Sequence, residues 1–434
     1  MNAVRGACPS LSEPMPSGDG LIARLHPAGG VTPGQFRALC NAAGRFGNGL
    51  IEVTQRGNLQ FRGLTSESAP EFAHAVNRLG IAAEDGPPID VSPLSGDDPS
   101  ELADARPIAG SLRQTFAQTA VALAPKVSVV IDGGGAIGLG ASQADIRLEA
   151  IAPGRWLLSV AGGRAEARRI GSGTAEQVVA AAFALLKTIS RTGAAARARD
   201  LGATALAEAA VGLKGPGPLP LRENRTGIGT LPLRNGLFAR GFGLPFGATA
   251  RDLSQVADSA AALGCEEFRF APARTILAIL PAGQSDRLAR ACRDVGFVTA
   301  AADPRSHVAA CSGRPACASA HISARTLAPA VADAARDLFD GSMTIHLSGC
   351  AKGCAHPGPA ALTIAGDANG ASLVVGGTAS GASAAHVTEE NIVTAIQTIA
   401  TRVREAARTG ETVAATIARL GAGAIAKERT PTAA

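Results

Sequence analysis

The chain has 434 residues, room for roughly two to four domains, and its 46% apolar and 18% charged composition excludes a disordered chain. Aromatic residues make up only 3%, which disfavours a nucleic-acid-binding protein that stacks bases on aromatic side chains. The net charge is a mild +5. No apolar run approaches the ~20 residues of a membrane span, and residues 1–20 lack the apolar core of a signal peptide. We therefore expect a cytoplasmic protein with no membrane partner, whose cysteines are ligands or buried thiols.

The predicted elements begin with a small α+β module. Residues 21–25 have the apolar pattern of a strand, and Thr32-Pro33 supplies the N-cap and first position of a helix. Two more strands, at 50–54 and 59–61, are joined through the basic turn Arg56-Gly57-Asn58.

The same pattern returns 216 residues later. Residues 236–240 repeat residues 20–24, a helix is predicted from Thr249, and two strands then flank Arg274 as the earlier pair flanks Arg56. Such a repeat indicates an internal duplication.

The segment after each module is repeated too. Residues 127–133 match residues 343–349 at the same offset. On this register two glycines of the first copy stand where two cysteines stand in the second: Gly134 and Gly138 against Cys350 and Cys354. One half therefore has the cysteines, and the other has the loop without ligands.

Alanine-rich stretches predict helices that close each half, at residues 175–189, 194–210 and 391–420. Between the halves, residues 214–220 are rich in proline and glycine and form a natural linker.

Four of the eight cysteines form two pairs in one stretch, Cys311 with Cys317 and Cys350 with Cys354. The second pair lies in the glycine-containing loop 348–357, which lets a cluster approach the backbone and leaves N–H groups facing sulfur. We interpret the four as thiolate ligands of one [4Fe–4S] cluster. Zinc and unliganded thiols are the alternatives, but zinc loops usually separate paired cysteines by two to four residues, and five lie between the first pair.

The other four cysteines have a different interpretation. Cys40 and Cys292 lie on apolar helix faces, Cys265 precedes a strand, and Cys8 is near the N-terminus. We expect buried or tolerated thiols at all four positions.

A glycine pattern at residues 133–138 formally satisfies G-x-G-x-x-G. A dinucleotide site requires a helix next, whereas residues 144–149 have the pattern of a strand. A turn between strands is therefore favoured over a nucleotide site.

Basic residues at strand ends and turns are the candidate anion-binding residues. They are Arg24, Arg56, Arg62, Lys126, Arg240, Arg274 and Lys352. If the halves pack about a pseudo-twofold axis, equivalent positions converge on one cavity; the alternative is that each is a solvated surface charge. Arg56 and Lys126, beside loop glycine or proline, are favoured. Four histidines flank the cysteines, as candidate ligands of an additional metal or as ordinary hydrogen-bonding residues: His307, His321, His346 and His356.

The cysteine spacing, the duplicated module and the segment 54–62 together resemble the nitrite/sulfite reductase superfamily, over roughly residues 18–420. Within it, the decapeptide 348–357 is similar to the precorrin-3B synthase family, because reductases usually have Pro-Asn where Ala351 and Lys352 stand. The resemblance implies an α+β, pseudo-twofold duplicated architecture, with ferredoxin-like half-domains and two cofactor- or substrate-binding α/β domains.

The resemblance and the repeat together divide the chain into seven ranges. They are a disordered leader (1–17), ferredoxin-like half-domain 1 (18–82), a tetrapyrrole-binding domain without cluster ligands (83–213), a linker (214–226), ferredoxin-like half-domain 2 (227–302), a [4Fe–4S]-binding domain (303–426) and a tail (427–434).

The resemblance also implies site residues. Cys311, Cys317, Cys350 and Cys354 would hold the cluster, and Arg56 and Lys126 fall on positions that grip macrocycle carboxylates. The chain departs from the reductases at Ser128, where they have a second lysine, and before the segment 92–94, where they have an arginine. These departures argue against a permanently bound sirohaem and the reduction of a small inorganic anion.

The activity implied is oxygen-dependent hydroxylation of precorrin-3A with γ-lactone formation, giving precorrin-3B in aerobic cobalamin biosynthesis. A [4Fe–4S] cluster would relay electrons from NADH or from a reductase or ferredoxin, with dioxygen as co-substrate and a mononuclear non-haem iron as a further candidate cofactor. No catalytic residue can be assigned from the sequence. The alternatives are a ferredoxin-dependent sirohaem sulfite or nitrite reductase and a non-catalytic iron–sulfur electron carrier.

Overall fold

The computed structural model describes residues 9–83, 86–119, 121–222, 226–356 and 358–426. The chain forms two compact units. Among the described residues, the first contains 9–15, 22–242 and 249–295, and the second contains 16–21, 243–248 and 296–426. The predicted linker 214–226 falls within the range of the first unit, and its described part, 214–222 and 226, contains no helix or strand.

The strands are, in chain order, β1 (Met15–Ser17), β2 (Gly20–Leu25), β3 (Leu50–Val53), β4 (Leu59–Leu64), β5 (Ile89–Val91), β6 (Val129–Asp132), β7 (Ala144–Ala152), β8 (Arg155–Gly162), β9 (Arg168–Gly173), β10 (Gly229–Pro232), β11 (Phe238–Gly243), β12 (Ala248–Thr249), β13 (Glu267–Ala271), β14 (Thr275–Leu280), β15 (Val308–Ala310), β16 (Ile345–Ser348), β17 (Ala360–Asp367), β18 (Gly370–Gly377) and β19 (Ala385–Val387). The α-helices are α1 (Pro33–Phe46), α2 (Ser68–Asn77), α3 (Arg106–Gln118), α4 (Ala175–Thr192), α5 (Ala203–Ala209), α6 (Ala250–Ala262), α7 (Ser285–Asp294), α8 (Ala324–Ala334), α9 (Ile392–Ala406) and α10 (Val413–Ala426).

Both small modules lie in the first unit, where their helices pack against each other. Strands β2, β4 and β3 adjoin in that order beside α1, and β10, β11, β14 and β13 adjoin beside α6. Helix α1 begins as predicted, with Thr32 accepting the backbone N–H of Gln35 in a capping box. It packs on α6, and the ring of Phe36 lies 4.9 Å from that of Phe268. The two copies of the module therefore share one core.

Two of the five-stranded sheets have the same topology. In the first unit the order is β5-β6-β7-β8-β9, and in the second it is β15-β16-β17-β18-β19. In each sheet the first two pairings are parallel and the last two antiparallel. Strands β6 and β16 begin 216 residues apart, the offset found in the sequence. The duplicated α+β architecture is confirmed.

Each sheet is covered by helices over an apolar core. In the first unit Ile146, Leu158 and Leu185 are fully buried between the sheet and α3, α4 and α5. In the second unit, Ile345 and Leu362 pack in the same way with α8, α9 and α10. Among the described helices none is long and apolar enough to cross a membrane.

The ends of the chain and one helix differ from expectation. Met15–Ser17, inside the predicted leader, forms strand β1, whereas residues 1–8 and the predicted tail lie outside the described residues. The predicted helix 194–210 is wrong over its first half, since only Ala203–Ala209 is α-helical. Asp145 accounts for the break, because its carboxylate binds both the Arg197 guanidinium (2.7 Å) and the N–H of Ala198 (2.9 Å).

Candidate functional site

The paired cysteines lie at one edge of the sheet in the second unit. Strands β15 and β16 are parallel, so the residues that follow them emerge at the same carboxyl edge. Cys311 follows β15 directly, and Cys350 follows β16 after one glycine. The N–H of Cys311 donates to the carbonyl of Leu347 (3.2 Å), which extends the parallel pairing to the loop itself.

The backbone of Gly349 lies against the sulfur of Cys311. Its N–H lies 3.0 Å from Sγ of Cys311 and donates to it. A Cβ on Gly349 would lie 2.7 Å from Cβ of Ala320 and 3.3 Å from the same sulfur, so a side chain would displace its neighbours. The absence of a side chain at Gly349 therefore lets the two cysteine loops approach each other.

The loop of Cys317 is held at several points. The N–H of Cys317 donates to Gly313 (2.8 Å), and the N–H of His321 donates to Gly349 (2.7 Å), which ties this loop to the loop of Cys350. Lys352, exposed between the second pair of cysteines, donates from Nζ to Oγ of Ser319 (3.0 Å). Lys352 thus bridges the two loops.

The carboxylate of Glu389 binds the first cysteine loop at two points and so forms a clasp on it. One carboxylate oxygen accepts the N–H of Ser323 (2.7 Å), and the other accepts a hydrogen bond from Arg314. Burial alone would raise the pKa of Glu389, but the hydrogen bonds from Ser323 and the charge of Arg314 outweigh it and hold the pKa below its ordinary value. The carboxylate is therefore ionised and fixes both ends of the loop segment 314–323.

The four sulfurs differ in exposure. Cys354 is exposed, whereas Cys311, Cys317 and Cys350 are half-buried. Burial raises the pKa of the Cys311 thiol, and the nearby thiolates of Cys354 and Cys350 raise it further against the hydrogen bonds of Gly349 and Gly313. Within the described part of the chain, no three His, Cys, Asp or Glu side chains are grouped so as to hold a metal ion.

In the corresponding loop of the first unit, carboxylates accept hydrogen bonds from the backbone. A Cβ on Gly133, the counterpart of Gly349, would lie 2.2 Å from Oε1 of Glu101. Glu101 accepts the N–H of Gly96 (2.6 Å), and Asp98 accepts the N–H of Ala136 (2.5 Å). The strand β7 follows this loop, so the glycine pattern opens no helix and forms the predicted turn between strands.

A pocket of about 320 Å³ lies within the first unit. Four arginines line it: Arg56, Arg106, Arg113 and Arg269. Each is held by the protein: Arg56 by Asp90 (2.7 Å), Arg106 by Asp104 (2.9 Å), Arg113 by the carbonyl of Ile89 (3.2 Å) and Arg269 by Asp97 (2.7 Å) and Glu267 (2.6 Å). Fixed guanidinium groups around one cavity form a site suited to carboxylates.

Arg56 is the one predicted basic residue that lines this pocket. Arg24 donates to Gln60 (2.7 Å), Arg62 pairs with Glu52 (3.3 Å), Arg240 donates to Thr230 (3.1 Å), and Lys126 is exposed. Burial lowers the pKa of the guanidinium groups of Arg240 and Arg274. None of these five is among the described residues that line the pocket.

Three of the arginines that line the pocket were not among the predicted site residues. Arg106 and Arg113 lie seven residues apart on α3, two turns of helix, and so share one face. That spacing was a usable indication. Arg269 on β13 offered none, because its place beside Asp97 depends on contacts between distant segments.

The cysteines outside the loops behave as predicted where the structure describes them. Cys40, Cys265 and Cys292 are buried, and burial raises the pKa of each thiol to about 12. Cys8 lies outside the described residues.

His346 is fully buried on the strand that precedes the second cysteine loop, and its ring lies 5.7 Å from that of His356.

Comparison with known proteins identifies the family. Residues 13–79 match the nitrite/sulfite reductase ferredoxin-like half domain. The chain is 39% identical over 430 residues to a precorrin-3B synthase of Sinorhizobium sp., a match that covers 97% of this chain and 94% of the relative. The chain belongs to the precorrin-3B synthase family. As a member of the precorrin-3B synthase family it is an enzyme of the oxidoreductase class, which confirms the resemblance found in the sequence.

More distant relatives of this precorrin-3B synthase family member are reductases. Sulfite reductase [ferredoxin] 2 of Mycolicibacterium paratuberculosis is 26% identical over 375 residues, covering 75% of this chain and 66% of the relative. The structure of the Mycobacterium tuberculosis NirA protein superposes with a TM-score of 0.74 at 19% identity, covering 93% of this chain and 84% of that one. This similarity establishes the shared fold.

Proposed function

We propose that this enzyme hydroxylates precorrin-3A with dioxygen and closes the γ-lactone of precorrin-3B in aerobic cobalamin biosynthesis. The observation that supports this most directly is 39% identity over nearly the whole chain to a protein named for that product. One oxygen atom enters the product and the other leaves as water, so the reaction needs two electrons from outside. We propose NADH, or a reductase or ferredoxin, as their source.

The proposal assigns a [4Fe–4S] cluster to Cys311, Cys317, Cys350 and Cys354. Four soft thiolates, an N–H donated to Sγ of Cys311 and a glycine where a side chain would meet that sulfur are features that suit an iron–sulfur cluster. When bound, such a cluster accepts and donates single electrons. The chain's own contribution is to hold the sulfurs, through the hydrogen bonds of Gly349 and the clasp of Glu389.

The pocket of the first unit is the proposed place for the substrate's carboxylate arms. Precorrin-3A is a tetrapyrrole with acetate and propionate groups, and a guanidinium can bind a carboxylate through two parallel hydrogen bonds. Arg56 uses Nη1 for Asp90 and Nη2 for the carbonyl of Gln143, and its side chain is 35% exposed. Its remaining N–H groups are available to a carboxylate in the pocket.

Chemical analysis of anaerobically purified protein tests the cofactor assignment. We expect four irons and four sulfides per chain and the EPR signal of a reduced [4Fe–4S] cluster. A fifth iron would indicate the additional mononuclear non-haem iron, and bound sirohaem would favour a reductase instead. The Cys354→Ser variant should lose the cluster. Cys265→Ser is the matched control, because a serine there can still donate to the carbonyl of Glu267 (3.4 Å).

Turnover tests the reaction itself. Precorrin-3A, labelled dioxygen and a reductant should give a product that contains one labelled oxygen atom. Binding without turnover, in a protein with a complete cluster and an active electron donor, would contradict the oxygenase assignment. A redox-active cluster with no affinity for the tetrapyrrole would favour an electron carrier.

A further inference from the structure

A short N-terminal segment belongs to the second unit, although it precedes that unit's sheet by nearly 300 residues. Residues 16–21, the strap, contain the turn Gly18-Asp19 between strands β1 and β2. The carbonyl of Gly18 accepts the N–H of Ala318 (2.8 Å). The strap therefore contacts the loop of Cys317 directly.

The contact is so close that only glycine fits. A Cβ on Gly18 would lie 2.3 Å from Sγ of Cys317 and 2.8 Å from the backbone nitrogen of Ala318. Side-chain carbons essentially never approach other heavy atoms within 3.0 Å. Alanine at position 18 would therefore push the strap away from Cys317, or push the sulfur aside.

The sulfur cannot yield easily, because its loop is fixed from other directions. The N–H of Cys317 is bonded to Gly313 (2.8 Å), the N–H of Ala320 is bonded to the carbonyl of Cys317 (2.9 Å), and Glu389 binds Ser323 (2.7 Å). Displacement of the strap is therefore the expected result of an alanine at position 18.

We propose that the strap closes the Cys317 side of the cluster site and limits the access of water and dioxygen to the cluster. This inference rests on the proposed cluster function of the four cysteines. A cluster in an enzyme that consumes dioxygen is exposed to its own co-substrate, and solvent exposure is one of the factors that set cluster chemistry. Gly18 is thus a positioning residue that acts through Cys317.

Two variants test the strap in the cluster-loaded enzyme. Gly18→Ala and Gly34→Ala are purified without oxygen and then mixed with air-saturated buffer, and the loss of the cluster's visible absorption is followed. Gly34 is the matched control, because a Cβ there would meet no atom within 4 Å. We expect Gly18→Ala to lose its cluster at least threefold faster than the wild type and Gly34→Ala to match the wild type. Equal rates for all three proteins would overturn the proposal.

A second measurement needs no cluster. In chelator-treated protein, Cys317 of Gly18→Ala should be alkylated at least threefold faster, relative to Cys350, than in the wild type. If wild-type protein never holds a cluster, the proposed function fails, while this arm still tests the contact between Gly18 and Cys317. An unchanged ratio would refute the contact.

Hydrogen exchange in the wild type tests the proposal without a variant, so the test holds even if Gly18→Ala does not fold. Peptides that cover residues 16–21 should exchange at least threefold more slowly with the cluster bound than after its removal. The peptide of α1, which contains Gly34, should exchange equally in both states. Equal exchange of the strap in both states would contradict the proposal.

Discussion

Arg56 and Asp90 form an ion pair in the wall of the first unit's pocket, with 2.7 Å between Nη1 and Oδ2. Asp90 is 7% exposed and Arg56 35%, so the carboxylate anchors a guanidinium that still faces the cavity. The pair fixes the arginine before any substrate arrives, which lowers the entropy cost of binding a carboxylate.

Removal of Arg56 should weaken substrate binding. We expect Arg56→Ala to raise the dissociation constant of precorrin-3A roughly 10–100-fold, the effect of losing a hydrogen bond to a charged group worth about 1.5–3 kcal/mol. Absorption titration measures it. Arg37→Ala is the control, because Arg37 pairs with Asp258 on an exposed surface of the same unit. Equal constants for both variants would remove Arg56 from the binding site.

The helix α3 provides a second test of the pocket. Arg113→Met keeps an apolar stem and removes the charge, and we expect it to weaken precorrin-3A binding about tenfold while the salt dependence of binding also falls. Arg106→Met should act in the same direction. If both variants bind as the wild type does, the arginine face of α3 has no part in substrate binding.

Thiol chemistry should separate the two classes of cysteine. Burial raises the pKa of Cys40, Cys265 and Cys292 to about 12, so their reactive thiolates are scarce at pH 8. In chelator-treated folded protein we expect iodoacetamide to modify the exposed Cys354 rapidly and these three only after denaturation. Mass spectrometry of the peptides measures each site. Rapid labelling of Cys292 in folded protein would contradict its burial.

The clasp of Glu389 predicts a dependence of stability on pH. Its pKa is lower in the folded protein than its ordinary 4.5, so its stabilising contribution is complete above pH 4.5 and is lost as the pH falls through the folded value. Glu389→Gln should cost about 1–2 kcal/mol at pH 7 and progressively less below pH 4.5. Thermal unfolding of the cluster-free protein from pH 7 to pH 3 measures this, with the exposed Glu390→Gln as control. A deficit that does not change with pH would exclude the ionised clasp.

Arg147 should stabilise the part of the pocket wall that Leu139 and Ser142 form. It is 1% exposed, and Nη2 donates to the carbonyls of Leu139 (2.8 Å) and Ser142 (2.7 Å), two residues that line the pocket. Arg147→Ala leaves those carbonyls without this donor, while Glu149 keeps its ion pair with Arg164 (2.8 Å). We expect a loss of about 1–3 kcal/mol in the free energy of unfolding. Arg169→Ala, an exposed arginine on β9, should change it little. Denaturant titration compares them.

Much of the fold could be predicted because the sequence contains it twice. The repeat, the capped helix at Thr32 and the cysteine loop all depend on local patterns, and each was found where predicted. The partners of the basic side chains could not be predicted in this way. Arg24 ends beside Gln60 and Arg62 beside Glu52, pairs that exist only once β2, β3 and β4 lie side by side.

The pocket shows the same limit. The sequence places Asp90 and Arg56 34 residues apart and gives no reason to join them. Arg269 meets Asp97 across 172 residues. Such pairings follow from the packing of each module against residues 90–97, and no single-sequence pattern encodes that packing.

The carboxylates around Gly133 have a consequence for how the loop of the first unit is held. The loop of the second unit carries thiols, whereas in the first unit the carboxylate oxygens of Glu101 and Asp98 accept the N–H groups of Gly96 and Ala136. The loop around Gly133 is therefore closed by carboxylates of its own unit, and each of the two carboxylates replaces a solvent partner for a backbone N–H group.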